Sequence, residues 1–146
     1  MKGSLSARWG YVATAVAVAA VQIAAAAPPA HRLQALTRLE PGMWQIRDLD
    51  SARPAPQSIC VADPDVLIQL QHKQASCSRF VIANNPDLVT VHYTCPGNGF
   101  GRTSIRVETS RLAQIDTQGI ADNIPFAYRA EARRMGTCAS QKSAAR

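Results

Sequence analysis

Residues 89–107 limit the possible folds of this chain more than any other stretch. Every second residue of its first segment is apolar, namely Val89, Val91, Tyr93 and Cys95. Three glycines follow between residues 97 and 101, and Ile105 and Val107 then repeat the same spacing. Alternation with a period of two places apolar side chains on one face of a β-strand. The stretch therefore predicts a β-hairpin, around which the rest of the chain must be arranged.

Other segments of the chain alternate in the same way. They are residues 43–49, 58–61, 77–83, 112–119 and 126–135. In the first of them Trp44 and Ile46 share a face, and the Trp is expected to anchor the core. The last segment is predicted as a strand, although its Ala, Arg and Glu content would also suit a helix. Together with the hairpin, these segments give six to seven short antiparallel strands. That number of strands predicts a mainly β fold with one curled sheet over a single core.

One short helix is predicted between the strands. Asp63 suits the N-cap of a helix, Pro64 its first position, and Asp65 the positive end of the helix dipole. The helix would then end near His72. Its apolar stripe would consist of Val66, Leu67 and Leu70.

The first 26 residues have the three-part layout of a secretory signal peptide. Lys2 and Arg8 precede an apolar run over residues 11–25, and small residues follow at 24–27. This run is shorter than the roughly 20 residues that span a bilayer, so a cleaved signal is favoured over a permanent anchor. Cleavage after Ala26 would leave a tether over 27–38, a single domain over 39–138 and a tail over 139–146. The mature protein is therefore expected in the periplasm or outside the cell.

The charge balance says little about partners. Loss of Lys2 and Arg8 with the signal would lower the formal net charge from +6 by two, to +4. A mildly basic domain could favour an anionic partner, although such a charge is more often a solubility feature. Export makes nucleic acid a poor candidate. The expected partner is an anionic or apolar envelope ligand, or another exported protein.

All four cysteines, Cys60, Cys77, Cys95 and Cys138, lie beyond the predicted signal. An even number of cysteines in an exported chain predicts two disulfides. Three pairings are possible. Cys60 with Cys77 and Cys95 with Cys138 are preferred, because the first bridge would close a strand–helix–strand excursion and the second would tie the hairpin to the final strand. A zinc site or a reactive thiol is the alternative, but the close C-x-x-C spacing is absent. No metal or other cofactor is expected.

Arginines in two strand regions form the candidate binding site. They are Arg102 and Arg106 after the hairpin turn, and Arg129 and Arg133 in the last predicted strand. If these strands were neighbours, the outer faces could form a patch that binds phosphate or carboxylate. Glu108 and Glu131 lie on the same faces. The preferred interpretation is therefore a ladder of exposed cross-strand ion pairs, with an anion-binding patch as the alternative.

No residue is assigned a catalytic role. Residues 97–103 superficially resemble a phosphate-binding loop, but the Gly-Lys-Ser/Thr ending and the following helix are absent. Ser104, His92 and Asp116 could be combined into a hydrolytic triad, yet no nucleophile motif supports them. The enzyme question is therefore open. A non-enzymatic binding or interaction module is favoured over a small periplasmic hydrolase or a thiol-active enzyme.

Five short motifs occur in an order that resembles a family of exported bacterial proteins. They are Leu39-Glu40-Pro41-Gly42-Met43-Trp44, Gln57-Ser58-Ile59-Cys60-Val61, a second cysteine after the helix, Tyr93-Thr94-Cys95 before the glycine-rich turn, and Gly136-Thr137-Cys138. Together they resemble domain-of-unknown-function family three-six-one-seven over residues 39–138. Residues 120–134 depart from the pattern, because they lack the Thr- and Met-rich strands of the family's C-terminal half. The resemblance implies a fold and an exported compartment, and it implies no activity, ligand or catalytic residue.

Overall fold

The computed structural model describes residues 32–52, 55–73 and 77–138. Within these ranges the chain forms one seven-stranded antiparallel sheet and two short 3-10 helices. The predicted mainly β fold with two disulfides is confirmed. The predicted signal over 1–26 and the predicted tail over 139–146 lie outside the described residues.

The sheet consists of a five-stranded meander and an added hairpin. The strands are β1 (Gly42–Asp48), β2 (Gln57–Val61), β3 (Ser78–Asn84), β4 (Leu88–Cys95), β5 (Gly99–Thr109), β6 (Leu112–Ala121) and β7 (Ile124–Gly136). Their order across the sheet is β2-β1-β7-β6-β5-β4-β3. Strands β3 to β7 are therefore consecutive neighbours, and the β1–β2 hairpin adds to the free side of β7.

The predicted central hairpin and the predicted last strand are both present. In the β4–β5 hairpin Val89 pairs with Ile105, and Tyr93 pairs with Gly101. The last element is a strand of 13 residues rather than a helix. It pairs with β6 on one side and β1 on the other, and Ala132 is fully buried between them. Packing between two neighbouring strands thus outweighs the helix propensity of its Ala, Arg and Glu residues.

One face of the sheet, the inner face, carries the core. Its buried side chains are Trp44, Ile46, Val61, Val89, Val91, Tyr93, Ile105, Val107, Ala113, Ile115, Ala130 and Ala132. The two 3-10 helices, Leu36–Arg38 and Pro64–Gln69, lie against this face and contribute Leu36, Leu67 and Ile68 to the core. The opposite face, called the outer face below, carries the polar residues that alternate with the buried ones.

The segment at Pro64–Gln69 stands where a helix is predicted, and it is a 3-10 helix. The carboxylate of Asp63 accepts a hydrogen bond from the backbone N–H of Asp65 at 3.0 Å, as the N-cap prediction requires. A 3-10 helix has three residues per turn, so its apolar face differs from that of an α-helix. As a result Ile68 is buried, whereas Val66, which was placed in the predicted stripe, is 43% exposed.

Residues 32–39, which include the described part of the segment predicted as a tether over 27–38, pack on the inner face. Leu33 and Leu36 are buried in the core. The side chain of Asn84 fixes the same segment, because its Oδ1 accepts a hydrogen bond from the backbone N–H of Gln34 at 2.8 Å. The segment contains one short 3-10 turn and no regular period, so alternation in the sequence could not reveal it.

The two disulfides join Cys60 to Cys138 and Cys77 to Cys95, so the preferred pairing of Cys60 with Cys77 and of Cys95 with Cys138 is wrong. The reason is the strand order. Strand β2, which contains Cys60, and strand β3, which follows Cys77, lie at opposite edges of the sheet. Because β3 and β4 are antiparallel neighbours, the residue before β3 lies beside the last residue of β4, and the two Cα atoms are 4.2 Å apart.

Two glycines on the inner face leave room for aromatic rings. Gly101 lies between Tyr93 in β4 and Gly119 in β6. A Cβ atom on Gly101 would collide with the ring and hydroxyl of Tyr93, and one on Gly119 would collide with the backbone of Phe100 and Gly101 and with the ring of Phe126. The two rings therefore fill the space that a side chain at Gly101 or Gly119 would otherwise occupy.

We expect Gly101→Ala to lower the free energy of unfolding by about 1–3 kcal/mol, because the added methyl group must displace a buried ring. Urea denaturation followed by circular dichroism measures this change. Gly136→Ala is the control, since a Cβ atom there meets nothing within 4 Å. Equal effects of the two substitutions would contradict the close packing of Tyr93 on Gly101.

Candidate functional site

The four arginines of the candidate patch lie on the outer face, in strands that are not neighbours. Arg102 and Arg106 belong to β5 and Arg129 and Arg133 belong to β7, with β6 between them. Adjacent strands are about 4.8 Å apart, so about 10 Å separates the two rows. The residues of β6 that face outward between the rows are Gln114, Asp116 and Gln118. The structure thus brings the four arginines to one face but not into one cluster.

Arg129 is held by Asp50, which follows β1. Its Nη2 and Nε atoms donate to Asp50 Oδ1 at 2.7 and 3.2 Å, and its backbone N–H donates to Asp50 Oδ2 at 2.7 Å. These hydrogen bonds favour the charged carboxylate, so the pKa of Asp50 lies below its ordinary value. The guanidinium group of Arg129 is therefore already occupied by an anion from the same chain.

Arg133 and Arg106 also lie beside carboxylates. Arg133 Nη2 is 3.3 Å from Glu131 Oε1, an atom that is also 3.5 Å from Arg47 Nη2. Arg106 Nη1 is 4.0 Å from Asp87 Oδ2, so its acid comes from the turn before β4 rather than from Glu108 on β5. These two arginines and Arg129 thus each lie beside a carboxylate, but none of the three pairs joins two neighbouring strands as a cross-strand ladder would.

Arg102 differs from the other three arginines. Within the described part of the chain, no carboxylate lies within 4.0 Å of its guanidinium group and its side chain makes no hydrogen bond. Its cross-strand neighbours on the outer face are His92 in β4 and Gln118 in β6. The ring of Phe100 lies on the same face, with its centroid 5.9 Å from that of His92. Arg102 is thus an uncompensated cation beside an aromatic pair.

These side chains line a shallow depression of about 400 Å³ on the outer face. Its walls include His92, Phe100, Arg102, Gln118, Ile120 and Ala127. Phe100 is 43% exposed, and Phe80, which pairs with His92 from the edge strand β3, is 69% exposed. A cation, an amide and an apolar wall in one depression are the groups that orient a small ligand with both polar and apolar parts.

A larger depression, of about 500 Å³, lies between the two 3-10 helices. Its acidic side chains already have partners in the protein. Asp65 accepts a hydrogen bond from Arg79 Nη1 at 2.8 Å, and Asp63 caps the second 3-10 helix. This depression is therefore a weaker candidate for binding an ion or a charged ligand than the one around Arg102.

The residues combined in the hypothetical triad do not form one. Ser104 Oγ is hydrogen-bonded to Thr90 Oγ1 at 2.9 Å, and Asp116 lies opposite Ser104 on β6. The ring contact found for His92 is with Phe100, and no described hydrogen bond joins His92 to Ser104. All four cysteines are in disulfides, so none is a free thiol. Across residues 32–52, 55–73 and 77–138, no group of three or more His, Cys, Asp or Glu side chains could hold a metal ion.

A buried polar network under the sheet was not predicted from the sequence. His72, expected only to end a helix, is completely buried. Its Nε2 atom is 3.1 Å from the carbonyl oxygen of Ile120, and its Nδ1 atom is 3.1 Å from the hydroxyl of Tyr93. A carbonyl only accepts hydrogen bonds, so Nε2 carries a proton; when the imidazole is neutral, Nδ1 then accepts from the hydroxyl of Tyr93.

The same network fixes the second 3-10 helix to the sheet. Thr103 Oγ1 donates to the carbonyl oxygen of Ile68 at 2.7 Å and is itself 2.7 Å from Thr117 Oγ1. Together with His72, these residues connect the helix and the segment that follows it to β5 and β6. The buried polar groups are hydrogen-bonded, as stability requires. Their role is structural, and they lie on the face opposite the depression around Arg102.

Tyr93 gives this network a measurable pH dependence. Burial raises the pKa of Tyr93 to about 12, with a smaller contribution from Tyr128. Because the folded state binds this proton more tightly than the unfolded state, the stabilisation is complete below the unfolded pKa of 10 and is lost as the pH rises towards 12. We expect a loss on the order of 2 kcal/mol over this range.

Urea denaturation at pH 9, 10, 11 and 12 tests this expectation. Tyr93→Phe should show a shallower decline, although part of it remains because burial also raises the pKa of Tyr128. An unchanged decline in Tyr93→Phe would show that Tyr93 is not its source.

No family model matches the chain, and comparison with curated proteins and with solved structures gives no match either. The resemblance to family three-six-one-seven therefore stays a prediction. None of the helices that the structure describes has the length and apolar character needed to cross a membrane.

Proposed function

We propose that this protein is an exported, disulfide-stabilised module that binds a small ligand on the outer face of its sheet and catalyses no reaction. The observation that carries the binding role is the depression that contains Arg102, a cation without a partner among the described residues. Every other arginine of the candidate patch lies within 4.0 Å of a carboxylate of the same chain.

Export is the second part of the proposal. Two disulfides that involve all four cysteines are typical of an oxidising compartment. Residues 1–26 add the layout of a secretory signal, with cleavage after Ala26 and release into the periplasm or the medium. Membership of family three-six-one-seven, whose proteins are exported, agrees with this compartment and belongs to the same proposal.

The non-enzymatic role is supported by the state of the candidate nucleophiles. A thiol-active enzyme needs a free cysteine, and all four cysteines are oxidised. A serine hydrolase needs a base within hydrogen-bonding distance of its nucleophile. The partner of Ser104 is instead Thr90, a residue that cannot act as a general base.

Expression of the full-length gene in a Gram-negative host tests this proposal. Cells are fractionated, and the protein is analysed by mass spectrometry before and after reduction. We expect a chain that begins at Ala27 in the periplasm or medium, that gains two hydrogen atoms per bridge on reduction, and that carries a small molecule under native conditions. A cytosolic chain with free thiols would contradict export, and covalent labelling by a serine-directed phosphonate would contradict the non-enzymatic role.

A further inference from the structure

The charge around Arg102 favours an anion. The cross-strand row through this residue runs from Phe80 through His92, Arg102 and Gln118 to Ala127, and it contains no acid. The neighbouring row is different, because there Asp116 lies opposite Arg129. The depression is therefore a local site of uncompensated positive charge on a face whose other arginines are paired. A negatively charged ligand group would complement it.

The walls of the depression favour a flat apolar body. The rings of His92 and Phe100 lie 5.9 Å apart between centroids and are inclined by 34°, so they form a tilted aromatic pair on the face that carries Arg102. Ile120 and Ala127 add aliphatic surface. Aromatic rings prefer offset-stacked or edge-to-face contacts, which such a wall offers to another ring.

The size of the depression favours a small molecule over a macromolecule. Its volume of about 400 Å³ lies at the lower end of the range of about 300–1,000 Å³ that is usual for ligand pockets. A stable protein interface buries about 800 Å² on each partner. Beyond the depression, the ion pairs of Arg129, Arg133 and Arg106 would have to lie under such an interface.

We infer that the depression around Arg102 is a binding site for a small aromatic carboxylate. The carboxylate accepts two hydrogen bonds from the Arg102 guanidinium, the pairing that planar guanidinium and carboxylate groups form best. The amide of Gln118 supplies a further donor, and the ring of the ligand packs on Phe100 and His92. This inference rests on the proposed function, and it names the site and the chemical class of ligand.

The test uses protein produced from the full-length gene and labelled with ¹⁵N, from which any bound small molecule is removed by dialysis until native mass spectrometry shows the chain alone. Biphenyl-4-carboxylate is the probe, and biphenyl-4-carboxamide is its neutral control with the same shape. Binding is measured by the shifts of backbone amide resonances. We expect the carboxylate to shift residues 92, 100, 102 and 118, and to bind about tenfold more tightly than the carboxamide, since a charge-assisted hydrogen bond supplies that difference.

Three variants separate charge from shape. Arg102→Gln should weaken carboxylate binding about tenfold, to the level of the carboxamide, and leave carboxamide binding unchanged. Phe100→Ala should weaken both probes. Arg133→Gln, the matched control on the same face, should change neither. The replaced side chains are exposed, so the spectra of the variants should keep the dispersion of the folded protein.

Several outcomes overturn the inference. They are equal affinity for the two probes, no effect of Arg102→Gln, shifts confined to another surface, and no binding of either probe. If the exported, oxidised protein fails to bind the probe, the inference fails while the proposed function stands. Retention in the cytosol with free thiols would instead overturn the proposed function.

Discussion

Replacing Cys60 and Cys138 together with alanine should lower the free energy of unfolding by about 4.5 kcal/mol. The bridge spans 78 positions of the chain, so its removal restores a large amount of conformational freedom to the unfolded state. The total stability of a domain is typically about 5–15 kcal/mol. The double variant is therefore expected to lose between about a third and nearly all of such a total, and urea denaturation followed by circular dichroism measures the loss.

The second bridge provides an internal control. Cys77 and Cys95 are only 18 positions apart, so replacing both with alanine should cost about 3 kcal/mol. The larger loss must come from the pair with the longer loop, and the opposite ranking would contradict the loop-entropy explanation.

The pairing itself can be read from a tryptic digest without reduction. Each cysteine lies in a tryptic peptide of its own, namely residues 48–73, 74–79, 80–102 and 135–142. We expect the first peptide to be linked to the last and the second to the third. Any other linkage would contradict the strand order that brings these cysteines together.

Trp44→Ala is expected to cost about 3–5 kcal/mol, the range measured for large aromatic side chains that are deleted from a core. Trp44 is completely buried on the inner face of β1. Its indole Nε1–H also donates to the backbone carbonyl oxygen of Glu40 at 3.0 Å, which fixes the orientation of the ring. Alanine would leave a cavity in the core and remove this hydrogen bond.

Two controls make the Trp44 result interpretable. Trp44→Phe keeps most of the apolar volume, so it should cost less than Trp44→Ala. Ile124→Ala removes a large apolar side chain that is 69% exposed, and its effect should stay within about 0.5 kcal/mol. If Trp44→Ala were as mild as Ile124→Ala, Trp44 could not be an anchor of the core. Circular dichroism is again the measurement, because the substitutions remove Trp44, whose fluorescence would otherwise report unfolding.

Local alternation in the sequence predicts the strands well. The alternate residues of β4 that it assigned to one face, from Val89 to Cys95, are all buried. Trp44 and Ile46 likewise share the inner face. Period-two alternation reports directly on which side chains face the core wherever a strand has one face against it, which the edge strand β3, without a buried residue, does not. It says nothing about which strands are neighbours.

Apart from the apolar stripe of the 3-10 helix, the main errors concern contacts between residues that are distant in the sequence. The disulfide pairing and the arginine patch both assumed a strand order, and the order β2-β1-β7-β6 differs from it. His72 was missed for a related reason, because its partners Tyr93 and Ile120 come from two other strands. A lone histidine carries no local sign of burial. The depression around Arg102 is visible only when the cross-strand neighbours of each arginine are known.

The position of β1 beside β7 determines the order in which this sheet can be completed. The β1–β2 hairpin can pair locally as soon as it is synthesised, but its other neighbour comes from residues 130–136 at the far end of the domain. Cys60 likewise cannot form its native bridge until Cys138 has been synthesised, whereas Cys77 is synthesised much earlier. A bridge between Cys60 and Cys77 would hold together the two strands that belong at opposite edges of the sheet. Such a bridge must be exchanged before the domain is complete, so we expect oxidative folding of this protein to depend on a disulfide isomerase.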